Sequence, residues 1–142
     1  GVGVKVYHVS IGGFDTHASQ LEDHPRQLSL LSTALHAFYS DLKDRGLDDR
    51  VLIMTWSEFG RRVKGNASEG TDHGSAAPLF FIGTPVKAGL YGQRPSLENL
   101  DNGNLRYAVD FRSAYATVLE NWLRVSSREL LGGAFEPVPL LK

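Results

Sequence analysis

Three short stretches of the chain gather oxygen and imidazole donors: Asp15 with His17 in F-D-T-H, Glu58 in S-E-F-G-R-R, and Asp72 with His73 in T-D-H-G. Carboxylate oxygens and neutral imidazole nitrogens are the ligands that borderline and hard divalent cations take, and a mixed set on separate loops supplies four or five of them. Cysteine is absent, which removes thiolate zinc sites, disulfides and a cysteine nucleophile. The set therefore suits zinc or manganese, with calcium as the next candidate. A cation held this way polarises an ester oxygen or lowers the pKa of bound water to about 7, and two cations about 3.5–4 Å apart clamp both attacking and leaving oxygens. Arg61, close after Glu58, offers a planar fork to a tetrahedral anion. The expected chemistry is hydrolysis of a small anionic ester.

Each of these residues also has a plainer use. A loop aspartate more often caps a helix or makes an Asx turn than binds metal, so only the joint occurrence of the three stretches carries weight. His8 lies within an apolar run and is expected to pack in the core, as are Trp56 and Trp122. His24 and His36 fall off the apolar stripe of a helix, Asp110 is placed to cap one, and Arg62 is expected to be solvated or ion-paired.

The elements that position the donors are read from periodicity. Residues 2–9 are valine-rich and end in small residues near Gly12 and Gly13, the pattern of a strand running into a loop. Over 24–45 the residues Leu28, Leu31, Leu35, Phe38 and Leu42 recur at steps of three and four, which predicts an amphipathic helix with Asp23 as N-cap, Pro25 in the first turn and Gly46 as its stop. The continuous apolar run 51–56 predicts a strand buried on both faces. Strand, helix and strand make a βαβ unit, whose right-handed crossover would bring the Asp15–His17 loop and the Glu58 loop to one edge of a parallel sheet. A third strand is expected over 79–82, irregular chain with a short hairpin around 87–91 within 84–109, and a last helix behind Asp110 carrying Phe111, Ala114, Tyr115, Val118, Leu119, Trp122 and Leu123. From Gly132 onward the tail reads as extended.

Fifteen basic and sixteen acidic residues without long blocks of one sign leave no electrostatic footprint for nucleic acid or an anionic membrane. No apolar run approaches the roughly 20 residues of a membrane span. The 142 residues suffice for one domain, although a strand-like run entered at residue 2 is what an excised segment would show.

The blocks G-G-F-D-T-H-A-S-Q, W-S-E-F-G-R-R, G-T-D-H-G and V-D-F-R-S-A-Y-A-T-V-L-E-N-W-L resemble, in this order and over nearly the whole chain, the bacterial family known as domain of unknown function 1501. That family is in turn similar to the alkaline phosphatase and sulfatase superfamily. The resemblance implies a three-layer α/β/α fold with a mostly parallel sheet, present here as a partial domain, and a metal-dependent site at the sheet's carboxyl edge. It implies metal ligation by Asp15 and His17, here one residue apart where the superfamily typically has three between them. It implies an acidic ligand at either Glu58 or Asp72, and a later histidine at His73. It also implies phosphate or sulfate ester hydrolysis, and export to the cell envelope for full-length relatives. The superfamily nucleophile and its further acidic ligands have no counterpart here; Ser57 and Thr71 are the nearby hydroxyls, without an evident activating base. The segment is thus expected to bind metal even where it does not turn over substrate. The rival expectations are a non-catalytic domain built around a structural ion or a loop network, and a scaffold whose missing-strand surface drives self-association.

Overall fold

The computed structural model describes Gly3 and residues 5–142. The dominant element is α1, Gln20–Asp44. It starts four residues before the expected first turn, so Asp23 and Pro25 lie inside it, and Ser19, in the left-handed region at φ 48°, stands at the cap position. At the other end the expected stop is present: Gly46 takes φ +64°, its N–H bonds to Lys43 O, and Leu47 N bonds back to Leu42 O. These paired bonds at a left-handed glycine terminate the helix by satisfying its last carbonyls.

Four short strands follow: β1, Ile53–Met54; β2, Gly60–Gly65; β3, Thr71–Gly74; and β4, Phe81–Ile82. β2 and β3 form an antiparallel hairpin, with Gly60 opposite Gly74 and Arg61 opposite His73. β1 pairs antiparallel with β4, Ile53 opposite Ile82. The expected three-layer fold with a parallel sheet is therefore not formed. Of the expected strand over 2–9, residues 2 and 4 lie outside the described residues, and residues 5–9 join no ladder, so β1 lacks the parallel partner that a βαβ unit requires. Instead the chain leaving β1 folds back through the β2–β3 hairpin and returns alongside β1 in the opposite sense.

Burial corrects two further expectations. The run 51–56 is half-buried, not enclosed, and Trp56 is 52% exposed. His8 is likewise exposed, its ring tilted against Trp56 at 6.1 Å. Irregular chain fills the region between β4 and the next helix, as its glycine and proline content predicts, but the expected hairpin over 87–91 does not form; Val86 instead bridges to Leu141.

Asp110 caps α2, Phe111–Ala116, by accepting the Arg112 N–H at 2.9 Å. The helix continues as a π-helical stretch, Thr117–Trp122, and after a break comes α3, Arg128–Leu131. Thr117 is buried because its hydroxyl donates to Ser113 O and accepts from Val138 N, which pins the C-terminal tail to this helix.

Among the described residues the buried apolar side chains are Leu42, Ala114, Ala116 and Leu140. The chain exposes 10418 Å², whereas a compact monomer of 15.6 kDa exposes about 7,200 Å² by mass scaling. Much of the apolar stripe of α1 is open to solvent, with Leu28 at 47% and Phe38 at 50% exposure.

Candidate metal centre

The loop that enters α1 is stitched to the β2–β3 hairpin rather than to a sheet edge. Asn66 organises the hairpin turn: its side-chain oxygen accepts the N–H groups of Ser68 and Gly70, while its amide nitrogen donates to His17 O at 2.9 Å. Ser19 N and Gln20 N bond to Ser68 O and Glu69 O, and Thr71 Oγ1 donates to the Gln20 side chain. Gly70 is required by proximity, because a Cβ there would stand 2.2 Å from His17 O. Phe14 anchors the other side of the loop, its ring edge-on to His24 of α1.

This docking brings Asp15, His17 and His73 together. His73 Nε2 lies 2.7 Å from Asp15 Oδ1, His17 Nε2 lies 3.0 Å from the same oxygen, and the two Nε2 atoms are 3.1 Å apart. Three donor atoms thus form a near-equilateral triangle. Their side chains are 62%, 47% and 46% exposed, so the triangle opens to solvent. His17 Nδ1 lies 3.5 Å from Asp72 Oδ1, whose carboxylate also accepts from the Asn66 side-chain amide at 3.3 Å. The His73 hydrogen bond holds the Asp15 carboxyl below its ordinary value, and the Arg61 charge acts in the same sense.

The donor set fits a divalent cation. Bonds of about 2.0–2.1 Å in a tetrahedral site put ligand atoms about 3.3 Å apart, so the sides of the triangle would lengthen by about 0.2 to 0.6 Å. Two imidazole nitrogens and a carboxylate oxygen pointing at one spot also share too few protons to satisfy every pairwise contact, and a cation resolves that conflict.

Of the five ligands expected from sequence, the structure gathers Asp15, His17 and His73 around one point and sets Asp72 behind His17. Glu58 is not one of the three; it stands on the exposed segment before β2, lining a cleft of about 510 Å³ with Trp56, Tyr107 and Tyr115. Arg61 is partly buried, and its guanidinium bonds Phe14 O, Thr16 Oγ1 and Thr71 O. The Ser57 hydroxyl donates to Phe59 O and that of Thr71 to Gln20, so both hydroxyls are engaged. Asn66, Phe59 and Gln20 leave no spacing signature in the sequence, because their work is done on backbone and ring faces; the one hint is the turn-forming G-N-A-S-E-G stretch itself.

A family model described as "Protein of unknown function (DUF1501)" matches residues 1–131. No curated protein and no solved structure matches the chain.

Proposed function

We propose a function for this chain, which belongs to the DUF1501 family of proteins of unknown function, from the geometry of its site: it binds one divalent cation, zinc or manganese, through Asp15, His17 and His73. The observation that carries the reading is the triangle of donor atoms with sides of 2.7, 3.0 and 3.1 Å. Asp72 lies behind His17, 3.5 Å from its Nδ1, where a carboxylate can serve as an outer partner to a ligating imidazole.

Three protein ligands exposed on one side match a catalytic site with an open position better than a closed structural one, which takes four. On that basis the reaction class we favour is hydrolysis of a small phosphate or sulfate ester. A divalent cation there would supply Lewis-acid polarisation of the ester oxygen. The chain's own part is to present three unprotonated donors on a docked loop and to leave their outer side free for the substrate. The likeness to alkaline phosphatases and sulfatases supports this choice of chemistry through the donor types alone, since the three-layer fold of that superfamily is not formed here.

The test is zinc and manganese titration of metal-stripped protein by calorimetry, beside turnover of aryl phosphate and aryl sulfate esters. We expect one cation per chain, with binding lost in Asp15→Asn and His73→Ala. No binding of either metal by folded wild type would overturn the site; one tightly bound cation without turnover, accompanied by a large rise in melting temperature, would favour the structural ion.

A further inference from the structure

We infer that Arg61 is a positioning residue of this metal centre: its guanidinium clamps the loop of Asp15 and His17 against the strand of His73, and it does not serve as a contact for substrate. The inference rests on the metal-binding proposal for its functional meaning and on separate geometry for its substance. Asp15 and His17 belong to one segment and His73 to another, 56 residues away, so something must fix the two relative to each other. Arg61 sits directly opposite His73 in the hairpin register. One terminal nitrogen, Nη1, donates to Thr71 O at 2.6 Å, on the strand of His73. The other, Nη2, donates to Phe14 O at 2.5 Å and to Thr16 Oγ1 at 3.3 Å, on either side of Asp15.

Burial and stacking agree with that role. The Arg61 side chain is 17% exposed, against 62% for Asp15, so it lies beneath the ligands while they face outward. Its guanidinium carbon stands 5.0 Å from the centre of the Phe59 ring, which itself stacks on the His73 imidazole. One cation therefore contacts the backbone of both ligand-bearing segments and the ring that supports the third ligand. A lysine could not replace it, since a single ammonium cannot span Phe14 O and Thr71 O in the fixed geometry of a planar fork.

The variants are Arg61→Lys, which keeps the charge, and Arg61→Met, with far-UV circular dichroism to establish folding. Two readouts separate positioning from anchoring of the fold. One is zinc affinity by calorimetry; the other is amide hydrogen exchange at Thr16 and His17 in the metal-free protein. We expect zinc affinity to fall about 10–100-fold in both variants, as for other outer partners of metal ligands, and exchange at the two amides to quicken. Zinc affinity and exchange unchanged in a folded Arg61→Lys would overturn the clamp. Inorganic phosphate binding to the zinc-loaded protein is the third arm: loss of phosphate binding at intact zinc affinity would also overturn the clamp, and assign the guanidinium to the anion. Should wild type bind no zinc, the metal reading fails on its own, and the exchange measurement still decides whether Arg61 holds the loop.

Discussion

The Phe59 ring lies flat on the His73 imidazole, with 3.7 Å between centroids and 7° between planes. Such a stack selects one orientation of the imidazole, and a stacked aromatic pair is worth about 0.5–1.5 kcal/mol beyond its buried area. Phe59→Leu, which keeps an apolar cover but removes the flat face, is expected to weaken zinc binding about two- to tenfold. Calorimetric titration checks this, and an unaltered dissociation constant would mean that the hairpin alone sets the ring.

Gly70→Ala places a methyl group where His17 O now sits, so either the hairpin turn or the ligand loop must retreat. Forced overpacking of this kind costs about 1–3 kcal/mol, and here the strain falls on the backbone of His17, one of the three proposed ligands. Urea denaturation should show the loss, together with weakened zinc binding. The comparator is Gly46→Ala, which meets nothing within 4 Å but sits at φ +64°; it should lose roughly 1 kcal/mol of stability and leave zinc affinity alone.

Acid sensitivity is expected at the start of α2. Asp110 accepts from the Arg112 guanidinium and from the Arg112 N–H, and these bonds, the side-chain one first, lower its pKa from the ordinary 3.8. A carboxyl with a depressed folded-state pKa contributes stability that is complete above its unfolded value and is lost as pH falls through the folded value. The contribution should therefore hold above about pH 4 and drain away below it. Asp110→Asn keeps a good cap while removing the titration, so the difference between wild type and this variant should shrink on acidification. Asp110→Ala should cost about 1 kcal/mol at neutral pH through the lost cap. Parallel melts from pH 7 to pH 2.5 provide the check.

The surface excess over a compact monomer, about 3,200 Å² by mass scaling, exceeds the roughly 800 Å² that one partner contributes to a standard interface. Self-association through the open stripe of α1 is the expected outcome at micromolar concentration, and Leu28→Glu with Phe38→Glu should reduce it. Light scattering of the unaltered chain returning 15.6 kDa at all concentrations would remove this expectation.

Several features that depend on neighbours along the chain are legible in the sequence. The stripe of α1, the stop at Gly46 and the cap at Asp110 are local signals, and each is present, although α1 begins earlier than Asp23 because the stitching of Ser19 and Gln20 to Ser68 and Glu69 orders its first turn from outside. Strand pairing is less legible. The valine-rich segment 5–9 has the composition of a strand but no ladder to join, while the polar and mostly exposed stretch from Arg61 to Gly65 pairs with β3. Donor chemistry marks five candidates, Asp15, His17, Glu58, Asp72 and His73, without telling that three of them meet, and the expected reason for a meeting, a shared parallel edge, is not the operative one; the docking of a loop on a hairpin is. Arg61 stands out by its charge, whereas its bonds to Phe14 O and Thr71 O, on which the clamp proposal rests, leave no trace in the spacing.

His17 and His73 lie 56 residues apart, and bringing such distant points of a flexible chain together costs about 3–4 kcal/mol of closure entropy. A cation joining them would act as a removable cross-link, introduced or withdrawn by chelator without altering the sequence. Cobalt(II) in place of zinc would colour the molecule only after the hairpin has docked on the loop, and the appearance of that absorbance would time this long-range step of folding.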